Sequence, residues 1–186
     1  MDVLKLLETL HTAEKLKDTT RHAYTSGGRH ESVAEHSWRI TLMAYFLRDE
    51  FPEADMDKVI RMCLIHDLGE CFTGDIPTFL KTAAHEATEE KLLSGWVSSL
   101  PEPYRSEMAD LYREMDARET LEAKIYKALD NLEAVIQHNE SPLDTWSDNE
   151  YTLNLTYGDD KVAFSPYLTA LRRQLRLDSE DKIRKG

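Results

Sequence analysis

Four polar side chains fall where helices should bury apolar atoms, and together they offer a ligand set for a metal ion. At about 100° per residue, His36 shares a helical stripe with Val33, Ile40, Met43 and Leu47. His66 shares another with Val59, Met62 and Cys63, and Asp67 points about 100° away, at the edge of the same helix. Asp130 lies opposite the main apolar stripe of its helix, which is Leu121, Ile125, Leu129, Leu132 and Ile136. Its own stripe, Ala123, Tyr126, Ala134 and Gln137, reads as uncharged apart from Asp130, as in a central helix covered on both sides. A partly buried carboxylate there needs compensation, which a cation supplies. Taken singly, each residue has a plainer reading, as a hydrogen-bonded core histidine or a solvated helix aspartate. Taken together, two imidazoles and two carboxylates from three helices suit a borderline divalent transition metal with water in its open positions.

The elements that must position these groups read as helices joined by short polar breaks, so the fold class is all-α. Val3, Leu6, Leu7, Leu10 and Ala13 have helical spacing, and a loop from Asp18 to Glu31 follows, broken by Gly27-Gly28. Ser32 and Glu35 form a capping-box signature for a helix to about Asp49. A third helix is expected from about Asp57 to Gly69, others over about Thr82 to Leu100 and on to Asp116, and a long one from about Glu119 to His138. Residues 140 to 163 read as irregular loop. Ser165-Pro166 then opens a last helix through Leu177, with a charged tail expected to fray.

Composition bounds the function. The chain has 186 residues, about one domain's length, and a net charge of −12, which repels the phosphate backbone of nucleic-acid polymers and anionic lipid surfaces. A small anionic ligand stays possible, because a metal or two arginines reverse the field inside one pocket. No apolar run approaches the ~20 residues that cross a bilayer. The N-terminal pattern lacks the features of a signal peptide, so a cytoplasmic location is expected. Cys63 and Cys71 are too few for a disulfide framework and read as apolar fillers.

The order His36, His66-Asp67, Asp130 resembles the signature of the HD-domain metal-dependent phosphohydrolases. The surrounding words narrow the resemblance: Arg29-His30-Glu31-Ser32-Val33-Ala34-Glu35-His36-Ser37, His66-Asp67-Leu68-Gly69-Glu70 and Thr73-Gly74-Asp75-Ile76-Pro77-Thr78 are similar to those of the YfbR-type 5′-deoxynucleotidases. The resemblance implies a single-domain HD-domain helical bundle over residues 1–186, with a motif-bearing core at about 21–138 and a C-terminal loop and helix at 140–186. It further implies one divalent metal ion (cobalt, manganese or zinc), hydrolysis of nucleoside 5′-monophosphates to nucleoside and phosphate, and a homodimer. Residues 140–186 carry no matching motif.

Position by position, the resemblance makes His36, His66, Asp67 and Asp130 the metal ligands. It gives Glu70 a catalytic role toward the attacking water, Asp75 a second carboxylate role in the same pocket, and Arg21 a grip on phosphate. Arg29 and Lys81 are candidates for further neutralising charge. One residue departs from the pattern: His22 stands where the family carries a tryptophan that helps select deoxyribose, which opens the site to ribonucleotides as well. Two rival readings are a two-metal HD enzyme, an oxygenase or cyclic-nucleotide phosphodiesterase, and a non-catalytic nucleotide-binding protein. The first would need extra histidines between the HD pair and Asp130, where only His85 occurs, and the second would typically have lost a ligand or the catalytic carboxylate.

Overall fold

A computed structural model describes all 186 residues. Helix α7 (Leu121–Glu140) runs through the centre. Ile125, Leu129 and Leu132 are buried on one of its faces, Ala123, Tyr126 and Gln137 on another. Around it pack α2 (Val33–Phe46), α3 (Met56–Ile65), α6 (Tyr104–Ala117) and α10 (Pro166–Lys185). One contiguous core joins Ile40 and Ala44 of α2, Val59 and Met62 of α3, Met115 of α6 and Leu168 of α10 to α7. Each of the larger of these side chains, Ile, Val, Met and Leu, contributes roughly 1.5–3 kcal/mol of hydrophobic stabilisation when fully buried.

Helix starts follow the residues that the sequence marks. Ser32 accepts from the Glu35 backbone N–H while the Glu35 carboxylate accepts from that of Ser32, so the capping box forms. Ser165 caps α10 with Pro166 in its first turn. Helix α1 (Val3–Glu14) forms as its spacing indicates, yet it buries none of its residues and leaves Val3, Leu4 and Leu10 largely exposed.

The structure corrects four local expectations. The segment expected as a loop from Asp18 to Glu31 contains an antiparallel hairpin of β1 (Thr20–Tyr24) and β2 (His30–Ser32). Thr20 pairs with Ser32 and Tyr24 with His30, so three residues of β1 face one of β2, and the strand bulges between them. The third helix stops at Ile65 instead of reaching Gly69. His66 Nδ1 engages the Cys63 carbonyl at 2.9 Å, and the Tyr112 hydroxyl donates to the Ile65 carbonyl at 2.6 Å. Both carbonyls are thereby drawn from the helical ladder, and the chain turns before α4 (Glu70–Thr73). Gly74 ends α4 at φ 76°, ψ 166°, a conformation reserved for glycine, and sends the chain to Asp75. Residues 140 to 163 hold the short helices α8 (Glu150–Leu153) and α9 (Asp159–Val162). Four-residue helices are too short to show periodicity. The tail after Leu177 stays helical to Lys185, held where buried Ser179 donates to Asn139 Oδ1 at 2.7 Å. Helix α5 (Ala83–Ser98) completes the set, and no helix is long and apolar enough to cross a membrane.

Candidate metal centre and active site

His36 arrives from the buried face of α2, His66 and Asp67 from the turn after α3, and Asp130 from the middle of α7. His66 keeps right-handed helical backbone angles, φ −57° and ψ −38°, so Asp67 follows about 100° round the axis and the two side chains bracket one point from either side. His66 Nε2 lies 2.9 Å from Asp67 Oδ2 and 3.8 Å from Asp130 Oδ1. His36 Nε2 lies 3.3 Å from His66 Nε2, 3.2 Å from Asp130 Oδ1 and 3.7 Å from Asp67 Oδ2. Ligands bound at ~2.0–2.2 Å to one ion sit roughly 3.0–3.5 Å from each other. His36, His66 and Asp67 therefore stand close enough together to hold one small divalent cation, with Asp130 Oδ1 beside both imidazoles.

The far side of each imidazole supports that fit. His36 Nδ1 is hydrogen-bonded to Glu133 and His66 Nδ1 to the Cys63 carbonyl, which turns both Nε2 lone pairs to the common point. Neighbouring side chains set the charge of the cluster. Burial and Arg21 oppose a charge on His36, but Glu133 and Asp130 raise its pKa to about 9. Burial opposes ionisation of Asp130, yet Lys127, His36 and His66 hold it well below the carboxylate range. Asp67 is lowered to about 2, against burial, chiefly by His66.

Glu70, one turn beyond Asp67, is buried, and its Oε2 has no hydrogen-bond partner. Burial, then Asp67 and Asp75, push its carboxyl up to about 10. Asp75 is raised by burial, against the pull of Arg21. Arg21 lies between two other acidic groups: its Nη1 is 3.9 Å from Asp67 Oδ2 and its Nε 3.3 Å from Glu31 Oε2. Burial opposes its charge, but Glu133, Asp67 and Glu31 hold its pKa above the arginine norm.

Arg21 and Asp75 also line a pocket beside the cluster, with His22, Phe79, His138 and Glu150. Side chains alternate along a regular strand, so the bulge in β1 is what lets the neighbours Arg21 and His22 share one pocket. Gln137 of α7 fixes the bulge by donating to the Tyr24 carbonyl at 2.5 Å. A wider cleft between α5 and α6 reaches His66 from another side and is lined by Lys81, Glu89 and Tyr112. Lys81 is held 2.8 Å from Glu89 at that opening.

Arg29 is not drawn into the cluster. It forms an exposed bidentate pair with Glu35, at 2.8 and 2.5 Å, because the capping box already presents that carboxylate beside it. His85 also stays away from the ligands, exposed in the capping box of α5 with Thr82. The sequence reading missed Glu133 and Lys127, and with them the charge that flanks Asp130. Lys127 Nζ reaches Asp130 Oδ2 at 2.6 Å, and Glu133 is fully buried against His36 and Arg39, whose Nε donates at 2.6 Å. The stripe around Asp130 is thus charged at positions 127 and 133. The available signal was their i−3 and i+3 spacing from Asp130. Glu31 is also buried, 3.3 Å from Arg21 Nε, and burial and then Glu133 raise its carboxyl to about 7.

Fold and site define a class: a mainly helical protein with a mixed nitrogen and oxygen set of candidate metal ligands beside a pocket lined by Arg21. The sequence model of the HD domain matches residues 13–172. The chain belongs to the HD-domain family. It is 33% identical over 140 residues to the human 5′-deoxynucleotidase HDDC2, covering 73% of this chain and 67% of the relative. The fission-yeast 5′-deoxynucleotidase hdd1 is 25% identical over 142 residues, 72% of this chain and 71% of its own. Among solved structures, a "predicted metal-dependent phosphohydrolase" of Magnetospirillum magnetotacticum superposes with TM-score 0.80 at 27% identity, over 97% of this chain and 93% of that one. The cyanophage S-2L HD phosphohydrolase DatZ, solved with dA and one catalytic Zn2+ ion, shares the fold at TM-score 0.57 and 22% identity, over 95% and 96% of the two chains.

Proposed function

We propose that this protein is a metal-dependent phosphomonoesterase that hydrolyses nucleoside and deoxynucleoside 5′-monophosphates to nucleoside and phosphate. The observation that carries this reading is the convergence of His36 Nε2, His66 Nε2, Asp67 Oδ2 and Asp130 Oδ1, 2.9–3.8 Å apart where measured, with both Nδ1 atoms engaged elsewhere. Membership of the HD-domain family and the named activity of the HDDC2 relatives support it. In this reading the four residues hold one divalent ion, cobalt, manganese or zinc. Bound there, such an ion supplies Lewis-acid polarisation of the phosphoryl oxygen and lowers the pKa of water toward neutrality.

The remaining steps belong to the chain. Arg21 grips two phosphate oxygens with its planar fork and orients the ester toward the ligand cluster. Glu70, whose Oε2 lacks a partner, orients the attacking water, and it would take the proton of that water once the positive charge of a bound ion offsets Asp67 and Asp75 and lets its raised carboxyl ionise. Asp75 lines the same pocket as Arg21 and helps position the leaving alcohol. Lys81 adds positive charge at the wider opening.

In the same reading the chain is a single HD domain over 1–186 with its motif-bearing core at 21–138. It works in the cytoplasm as a homodimer, with no nucleic-acid polymer or membrane as partner. The exposed apolar side chains Trp38, Tyr45 and Phe46 on α2 are consistent with a second copy covering that face. The test is a phosphate-release screen over ribo and deoxy 5′- and 3′-monophosphates with cobalt, manganese and zinc. Activity on 5′-monophosphates that disappears with chelator is the expected result; no release from any of them sinks the reading.

A further inference from the structure

Residues 140–186, which carry no motif, build one wall of the pocket next to the metal centre, and that wall ends in a buried carboxylate. Glu150 is 2% exposed. Its Oε2 accepts from the Ser147 backbone N–H at 2.7 Å, which fixes the carboxylate in place. Its Oε1 faces two imidazoles at once, His22 Nε2 and His138 Nε2, each 3.3 Å away. Both distances exceed those of a good N–H···O bond, and His22 Nε2 has no aligned hydrogen-bond partner although it is buried. His138 is held on its other side by Asn154, with Nδ1 and Oδ1 3.1 Å apart.

Arg172 of α10 clamps this wall. Its side chain is almost wholly buried and donates to the carbonyls of Tyr157 at 2.8 Å and Asn154 at 2.9 Å. A buried arginine that donates from Nε and Nη2 to two loop carbonyls rigidifies the segment that presents Glu150. The wall is therefore preorganised, and its unfilled hydrogen-bonding capacity faces the pocket.

The pocket is polarised from end to end. Arg21 stands at the metal side, and a carboxylate flanked by two imidazoles stands at the other, with the Phe79 ring edge-on to His22 at 5.7 Å. A ligand matched to it is anionic at one end and carries neutral hydrogen-bond donors at the other. Within a nucleoside 5′-monophosphate, the donors next to the phosphate are the sugar hydroxyls. We propose that Glu150, flanked by His22 and His138, is the residue that reads the sugar hydroxyls of the substrate and sets which sugars are accepted. This rests on the nucleotidase reading above and adds to it a specificity-determining carboxylate from the C-terminal segment. A hydroxyl donating to Glu150 Oε1 and accepting from an imidazole N–H satisfies the groups that the protein alone leaves loosely paired.

The test compares kcat/KM of the metal-loaded protein for a 2′-deoxynucleoside 5′-monophosphate and its 2′,3′-dideoxy counterpart. Wild type should favour the hydroxyl-bearing substrate by roughly 10- to 100-fold, the range expected when a charged group loses its hydrogen-bond partner. In Glu150→Gln this ratio should collapse toward unity. Equal losses on both substrates, with the ratio intact, would make Glu150 a structural peg and overturn the proposal. So would a wild-type protein that treats the two substrates alike, a result that needs no variant. Should Glu150→Gln fail to fold, His22→Phe and His138→Gln are expected to compress the same ratio, and an unchanged ratio in both overturns it. A wild type that hydrolyses nucleotides without reading their hydroxyls defeats this inference alone. A wild type that releases no phosphate from any nucleotide defeats the nucleotidase reading and this inference with it.

Discussion

His36 and His66 present their Nε2 atoms to each other at 3.3 Å, each ring being held from behind by a hydrogen bond at Nδ1. Two imidazoles so arranged aim both Nε2 atoms at one point, a geometry that a metal cation, by binding their lone pairs, converts into a binding site. The predictions below start from that point and move outward.

Replacing His66 or Asp67 by alanine should abolish metal retention and turnover together, since both reach the cluster from one turn of chain. The variants should melt near the temperature of chelator-treated wild type, because each loses the folding free energy that the bound ion contributes. Elemental analysis alongside thermal melts checks this. An Asp67→Ala protein that keeps a full complement of metal would remove Asp67 from the ligand set.

Glu133 should matter for metal affinity without touching the metal. It takes the His36 Nδ1 hydrogen and is bound by Arg39, so Glu133→Gln should weaken metal binding by about 10- to 100-fold while the apo fold persists. Glu133→Ala should cost about 3–5 kcal/mol of stability, because His36 and Arg39 are then left without their buried counter-charge. Competition with a chromophoric chelator measures the first effect and denaturant melts the second; normal affinity in Glu133→Gln contradicts the positioning role.

Arg21→Ala should raise KM for a nucleoside monophosphate at unchanged metal content. The loss of a charge-assisted phosphate contact corresponds to about 1.5–3 kcal/mol, or roughly 10- to 150-fold in kcat/KM. Unaltered kinetics would place the phosphate elsewhere.

Glu70→Ala separates binding from chemistry. The variant should retain its metal and bind nucleotide, while turnover falls by about 10² to 10⁴-fold, the usual contribution of a positioned general base. Measuring all three properties on one preparation distinguishes the outcomes: full activity would make Glu70 a bystander, and loss of metal would make it a further ligand.

The sequence by itself determined the helical class and the main apolar stripes, because 3.6-residue periodicity and side-chain caps are local properties of the chain. Val33, His36 and Ile40 fall on one buried face as their spacing indicates, and Ser32 and Ser165 start helices where they stand. The spacing also singled out His36, His66, Asp67 and Asp130, since a polar group on an apolar stripe is visible without coordinates. Tertiary structure decided how those groups meet. The packing of α2 and α3 against α7 brings His36, the neighbours His66 and Asp67, and Asp130 to one place, and the Tyr112 hydroxyl of α6, distant in sequence, ties down the end of α3 beside them. Likewise the bulge in β1 depends on pairing with β2 and on Gln137 from α7, so that Arg21 and His22 line one pocket could not be read from their adjacency. Arg29 looked equally suited to phosphate, yet its nearest carboxylate is the Glu35 of the helix cap, and that local pair holds it at the surface. Glu133 and Glu150 were hidden for the same reason: a glutamate is solvated by default, and only the packing of α2, β1 and the clamped C-terminal segment around these two makes them buried charges with work to do.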